Sequence, residues 1–283
     1  MNIAATVILY YPSMDVLANI QSYVSFAGRL YVMDNSEKAD PGISRRLQEL
    51  RDCVYIHDGE NKGIAARLNQ ACRLARHDGY SSLLTMDQDS AFTHENITGY
   101  LRCIQQFSGR EQVAMFGVEY EGAPAIATDC AAEEIDHLIT SGSIVNLDLF
   151  DAVGGFDENL FIDGVDQEYC YKSIVAGYKI VQLKNIQMAH TLGTVVSKRS
   201  LKNLRMTPRT LHTPVRLYYI MRNHLYLKAK YGQFFPINTA RNQKELFNRI
   251  KNNLLYNNRR WKVLRYLLKA RADFRNKNMG KIK

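Results

Sequence analysis

The sequence predicts an α/β protein, with a mostly parallel sheet flanked by helices over residues 1–225 and a basic helical extension over 226–283. Three observations carry this. Short β-branched and aromatic runs alternate with segments of helical period, the pattern of βαβ units in a doubly wound sheet. Several runs end in polar clusters, and in such sheets the carboxyl ends of the strands share one edge. Charge is also split: residues 1–190 hold 14 Lys and Arg against 26 Asp and Glu, a balance of −12, whereas 191–283 hold 23 against two, a balance of +21. An acidic body with a cationic tail points to an anionic partner for the tail.

In chain order, Thr6–Tyr11 is β-branched and aromatic and stops at Pro12, so it reads as a buried strand. Met14, Val16, Leu17 and Ile20 then recur at helical spacing. Leu30–Met33 is a second strand, ending at Asp34-Asn35-Ser36, and Val54–Ile56 a third. A helix begins after Asn61-Lys62-Gly63, with Ile64, Leu68, Ala71, Cys72 and Ala75 on one face. Leu83–Met86 is the fourth strand and stops at Asp87-Gln88-Asp89. If that strand runs on to Asp89, residues 87 and 89 point to the same side. Two carboxylates so placed repel unless a cation lies between them, and a hard divalent ion such as Mg²⁺ or Mn²⁺ resolves the conflict. An Asp-rich surface turn is the competing reading of this stretch.

The chain is long enough, at 283 residues, for a sizeable core, and 46% hydrophobic residues is ordinary for a globular protein. No stretch reaches the ~20 apolar residues that span a bilayer. The first residues lack a basic n-region, so no signal peptide is expected. Five scattered cysteines without a Cys-x-x-Cys pair suggest reduced thiols in a cytoplasm.

Taken as an ordered set, Asp34-Asn35-Ser36, Asn61–Asn69 and Asp87-Gln88-Asp89 resemble the inverting family 2 glycosyltransferases of the type-A fold. The resemblance covers roughly residues 3–225 and implies a nucleotide-sugar donor. By it, Asp34 would accept hydrogen bonds from a pyrimidine base, and the helix start with Asn61, Gly63 and Arg67 would sit by the nucleotide. Asp89, with Asp87, would hold the divalent metal that bridges the diphosphate. The first strand departs from the family, ending Tyr10-Tyr11-Pro12 where many relatives have Thr-Tyr-Asn.

Ile139–Val145 reads as a strand lining the cleft, where Gly142 either admits a sugar to the backbone or makes a tight bend. Gly154-Gly155-Phe156-Asp157-Glu158 then leads to Asp163, Asp166 and Glu168, crowded at the start of a helix over 169–176. Acids complement a helix N-terminus, but an inverting transfer also needs one base for the acceptor hydroxyl. The resemblance selects Asp166, with Asp163 second and Glu168 third. It also places His190 where relatives carry a metal-ligand histidine.

A Tyr-Tyr-x-x-Arg-Asn segment, Tyr218–Asn223, resembles the bacterial rhamnosyltransferase branch. That implies dTDP-L-rhamnose as donor, with Arg216 or Arg222 at the diphosphate. UDP-sugars and other hexosyl- or galactofuranosyl transfers are the alternatives. The acceptor would be a saccharide or lipid-linked saccharide of a bacterial surface polysaccharide. Beyond Arg241, Phe247, Ile250 and Leu254, then Trp261, Leu264 and Leu268, lie at helical spacing among Lys and Arg. They suit either an interfacial helix on an anionic membrane at the cytoplasmic face or a helix packed on the body. The rival for the whole chain, a non-catalytic nucleotide- or nucleic-acid-binding protein, is disfavoured by the acidic body and the lack of a nucleic-acid motif.

Overall fold

The structure, a computed structural model, describes residues 2–120, 130–190, 195–199 and 205–283. It divides into two compact units: residues 1–158 with 165–191, and residues 159–164 with 192–283. The division differs from the sequence expectation, because residue 225 falls inside a helix whose two ends belong to one unit.

The first unit alternates strands and helices from its start: β1 (Ile3–Leu9), α1 (Asp15–Gln21), β2 (Leu30–Asp34), α2 (Pro41–Gln48), β3 (Cys53–His57), α3 (Ile64–His77) and β4 (Ser82–Asp87). All seven residues of β1 are buried, as suits a strand covered on both faces. Asp40 caps α2 by accepting from the Gly42 and Ile43 N–H groups, and Pro41 fills its first position. Then come β5 (Ser90–Ala91), α4 (His94–Gln106), β6 (Val113–Glu119), β7 (Ala132–Glu134), β8 (Ser143–Asn146), α5 (Phe150–Val153), α6 (Val165–Val175), β9 (Lys179–Gln187) and β10 (Ala189–His190).

Eight strands form one sheet in the order β3-β2-β1-β4-β8-β6-β9-β7. The first four are parallel, as expected. β8 then enters antiparallel to both β4 and β6, and β7 antiparallel to β9, so the sheet is mixed. Residues of β1, β2, β4, α1 and α4 pack with β6 and β9 in one core containing Val7, Leu9, Ile20, Val32, Met86, Ile97, Phe116 and Val181. β5 and β10 make a separate two-stranded ribbon.

Three expectations are corrected here. The fourth strand ends at Asp87, and Asp89 lies in the turn before β5, so alternation along a strand does not align the two carboxylates. The run around Gly142 is a turn leading into the buried centre of the sheet. Gly142 has φ +73°, and a Cβ there would lie 2.6 Å from Met188 Sδ, so the glycine answers to packing and not to a sugar. Cys103 and Cys130 are joined as a disulfide from α4 to a position two residues before β7, while Cys53, Cys72 and Cys170 are free. The reduced-thiol expectation fails for that pair because spacing along the chain is silent on proximity in space.

The second unit contains the antiparallel pair β11 (Val195–Arg199) and β12 (Met206–Thr210), followed by α7 (Pro214–Tyr231), α8 (Pro236–Tyr256) and α9 (Arg260–Arg275). Thr213 caps α7 through the Arg216 N–H, with Pro214 next in line. Leu217, Val263 and Leu267 form a small core with Ile250 and Leu254 against it. The 159–164 segment joins this unit through Phe161 stacked on Tyr219.

Candidate functional site

Parallel register brings the first polar clusters to one edge. Leu9 pairs with Asp34 across β1 and β2, and Ile8 pairs with Asp87 across β1 and β4. Asp34 and Asp87 therefore flank the end of β1. Asp34 is nearly buried: its Oδ2 accepts from the Tyr55 hydroxyl at 2.6 Å and its Oδ1 from the Ser36 N–H at 2.8 Å. The Asp34 bond is the second cause, after burial, of a Tyr55 phenol pushed well above its ordinary range.

Asn35 joins two sequence motifs into one structure. Its Oδ1 accepts from the Lys62 N–H at 3.1 Å and from Arg67 Nε at 2.8 Å. Arg67 is wholly buried and donates through its other nitrogens to Asp58, Gln70 and the carbonyls of Asp34 and Glu60. Its donors are committed to the protein, which corrects the expectation that it contacts a nucleotide. It holds the two loops that could. Asn61 accepts from the Gly63 N–H at 3.0 Å, and Gly63, at φ +83°, precedes α3.

The Asp87 N–H donates to Ser141 Oγ at 3.0 Å, and the same hydroxyl donates to Ser90 Oγ at 2.8 Å. Gln88 accepts from the Tyr10 N–H through its side chain and from Asn19 Nδ2 through its carbonyl. The turn is thus fixed on both sides, with Asp89 exposed. Beside it opens a cavity of about 810 Å³, lined by Asp15, Asn19, Gln88, Asp89, Tyr120 and Gln187 among others. Asp34 and Asp166 are not in its lining. Antiparallel register sets His190 opposite Ser90, one residue from Asp89; the His190 side chain lies outside the described residues. Among the described residues no group of three or more His, Cys, Asp or Glu is set to hold a metal. Asp87 and Asp89 supply two hard oxygen donors, a set that suits Mg²⁺ or Mn²⁺ when substrate oxygens and solvent complete the shell.

The three acids near α6 have different surroundings. Glu168 is fully buried, with Lys172 Nζ at 3.3 Å. Asp163 belongs to the second unit, where Arg216 binds both its oxygens, Nε to Oδ2 at 2.6 Å and Nη2 to Oδ1 at 2.7 Å. Asp166 is half-buried in the first turn of α6, and among the described residues it forms no ion pair.

Arg216 is therefore occupied by Asp163, a departure from its expected diphosphate role. Arg222 is wholly buried within the second unit, donates to the Tyr218 hydroxyl and the Asn278 carbonyl, and faces the Tyr218 and Tyr219 rings at 5.1 and 5.2 Å. A wholly buried guanidinium in an aromatic setting supports a packing role.

Sequence reading passed over several residues. Asn223 Nδ2 donates to the Ile162 and Asp163 carbonyls at 2.7 and 2.8 Å, holding Asp163 at a left-handed φ of +66°. Asn69 brackets Phe156, accepting from its N–H and donating to its carbonyl. Tyr10 and Tyr11 are exposed where β1 ends, their rings 4.8 Å apart, and Tyr11 adopts φ +45°. The signal for that pair was present in the two aromatic residues before Pro12, where a buried strand needs none exposed.

Comparison with known proteins bears on the fold that carries these residues. The family model for Glycosyl transferase family 2 matches residues 30–110, which span β2, β3, β4 and the Asp87–Asp89 turn. A dTDP-rhamnosyl transferase RfbF of Shigella flexneri is 26% identical over 249 residues, covering 81% of this chain and 80% of that protein. Among solved structures, S. aureus TarS aligns with a TM-score of 0.57 at 15% identity, over 97% of this chain and 48% of that one. A TarS 1–349 complex with UDP-GlcNAc gives 0.54 at 14% identity, over 97% and 80%. GalNAc-T7 with UDP, GalNAc and Mn²⁺ gives 0.57 at 10% identity, over 67% and 44%. The chain thus spans less than half of GalNAc-T7 and of the longer TarS structure, and these likenesses bear on fold. Motif order, sheet topology and solved neighbours converge on a type-A glycosyltransferase fold, within which residues 30–110 are similar to the Glycosyl transferase family 2 model.

Proposed function

We propose that the protein transfers a sugar, with inversion, from a nucleotide-sugar donor to a hydroxyl of a saccharide or lipid-linked acceptor. The observation that supports this reading is that Asp34 and Asp87 flank the end of β1, while Asp166, in the first turn of α6, is an acid without an ion pair among the described residues. The acceptor oxygen attacks the anomeric carbon as its proton passes to the Asp166 carboxylate. The bond from that carbon to the diphosphate breaks, and its electron pair leaves with the nucleoside diphosphate. Asp89, Asp87 and His190 would hold Mg²⁺ or Mn²⁺, which when bound offsets the charge growing on the diphosphate. The exposed Tyr10–Tyr11 pair offers an aromatic face to the base.

The donor we favour is dTDP-L-rhamnose, supported by the S. flexneri relative and the Tyr218–Asn223 segment. The cationic second unit suits work at an anionic membrane surface. A thermal-shift panel of dTDP-, UDP- and GDP-sugars with and without Mn²⁺ tests the reading. Metal-dependent stabilisation by dTDP-rhamnose, followed by transfer to a saccharide acceptor, is the expected result. Stabilisation by oligonucleotide and by no nucleotide sugar would overturn it.

A further inference from the structure

α9 has two apolar faces, and packing accounts for only one. Val263, Leu267 and Ala270 are buried, on the side that meets α7. Trp261, Leu264 and Leu268 lie on an adjoining side of the helix and are 84%, 38% and 63% exposed. At 100° per residue these three fall within a narrow stripe. Exposed Arg265 borders one side of it and exposed Arg271 the other, while exposed Arg275 continues the same face toward the C-terminal end of the helix. Lys262, Arg265 and Lys269 also line, with Trp261 and Lys283, an open depression of about 680 Å³ at the same surface.

We infer that this face of α9 docks on an anionic phospholipid surface, with the Trp261–Leu264–Leu268 stripe entering the interface and the flanking cations meeting lipid phosphates. The inference deepens the membrane part of the proposed function and rests on that part alone. Charge and shape select this occupant. A second copy would set two cationic faces against each other. A nucleic acid would satisfy the cations and leave two leucines without a purpose, whereas hydrocarbon takes Leu, and Trp favours the boundary between hydrocarbon and water. Among the described residues no helix is long and apolar enough to cross a membrane, so the contact is interfacial. Arg and Lys can extend from such a stripe to the headgroups, their stems lying along the apolar surface.

Trp261 is the chain's single tryptophan, so its fluorescence reports on this face alone. Full-length protein is titrated with phosphatidylcholine vesicles containing phosphatidylglycerol, and separately with pure phosphatidylcholine, at low salt and at high salt. The expected result is a blue shift and protection from acrylamide with the anionic vesicles at low salt, weakened by high salt and small with the neutral ones. Leu268→Glu and Arg265→Glu/Arg271→Glu should each lower vesicle affinity at least tenfold. Both alter exposed positions, and both should leave the thermal shift with nucleotide sugar unchanged, so a failure of docking is distinguishable from a failure of donor binding. Co-sedimentation without any change in Trp261 emission would mean another face binds and overturns the inference. So does equal binding to neutral vesicles, the same blue shift with glycerol phosphate alone, or a response to oligonucleotide but not to vesicles.

Discussion

Arg216 holds Asp163 by both carboxylate oxygens, at 2.6 and 2.7 Å, within the second unit. The Nη2–Oδ1 contact is a hydrogen bond and Nε lies at ion-pair distance from Oδ2, a two-nitrogen arrangement that the single ammonium of a lysine does not reproduce. The pair fixes a residue at φ +66°, a conformation that costs a non-glycine residue about 1 kcal/mol or more. Because Arg216 is half-exposed, the pair itself contributes only about 1 kcal/mol. Arg216→Lys and Asp163→Asn should each lower stability by about that amount, and the double variant should cost less than their sum. Transfer by Asp163→Asn should stay within about tenfold of the parent. If Asp163→Asn abolishes transfer and leaves the denaturation midpoint unmoved, Asp163 is the base and the assignment is exchanged.

Asp166→Asn keeps the shape and loses the proton acceptor. We expect transfer to fall by about 10²-fold or more, the range for a positioned base, with nucleotide-sugar affinity near that of the parent. A parallel loss of donor affinity, read by calorimetry, would instead make Asp166 a donor-binding group.

The parallel half of the sheet was legible because each of its strands is a compact apolar run closed by a polar cluster, and β2, β3 and β4 begin and end within about two residues of the expected positions. The antiparallel entry of β8 was not, since Ser143–Asn146 is only four residues long and carries no direction in its composition. Asp87 and Asp89 were legible as a pair, but the turn that follows Asp87 depends on Ser141, remote in sequence, which bonds both the Asp87 N–H and the neighbouring Ser90 hydroxyl. The cationic residues misled most. Arg67, Arg216 and Arg222 share a residue type with diphosphate ligands, and only burial and partners distinguish a guanidinium committed to Asp58 or Asp163 from one available to substrate. On α9, helical spacing identified an apolar stripe, yet the packed face uses Val263 and Leu267 from the adjoining one.

Asp89→Ala removes an exposed carboxylate from a turn otherwise held by Gln88 and Ser141, so the fold should be kept. Stabilisation by nucleotide sugar should lose its dependence on Mn²⁺. Full transfer activity of this variant, or of the parent in excess chelator, would remove the metal from the proposed function.

Arg67→Met should be costly without any contact to substrate. It leaves exposed Asp58 to Lys62 alone and buried Asn35 without the guanidinium donor, and opening such a hydrogen-bond network costs about 1–3 kcal/mol. The Arg67 hydrogen bond is the first cause holding the Asp58 carboxyl well below the usual carboxylate range, with Lys62 assisting against burial. A depressed carboxyl stabilises the fold above its unfolded value of about 3.9, and that contribution is lost as pH falls through the folded value. The parent should therefore lose stability below about pH 4 more steeply than Arg67→Met does. Equal acid slopes in urea titrations would show that Asp58 does not depend on Arg67.

His212 gives the second unit a pH dependence in a milder range. Its N–H donates to Asn253 Oδ1 at 3.0 Å and its carbonyl accepts from Asn257 Nδ2 at 3.1 Å, so α8 encloses its backbone. Burial, first, and then the charges of Arg249 and Arg216 lower its imidazole to about 4. An unfolded histidine titrates near 6.5, so between about pH 6.5 and 4 the unfolded chain binds a proton that the folded chain refuses. Stability from this group is complete above that window and is lost as pH falls through it. The melting temperature should consequently drop between pH 7 and pH 4.5 by more in the parent than in His212→Gln. Arg249→Gln, which removes one repelling charge, should raise the His212 pKa and reduce the drop. Proton NMR of the imidazole provides the direct reading. A His212 resonance that titrates near 6.5 in the folded protein, or a pH slope that His212→Gln leaves intact, would assign the acid sensitivity to other groups.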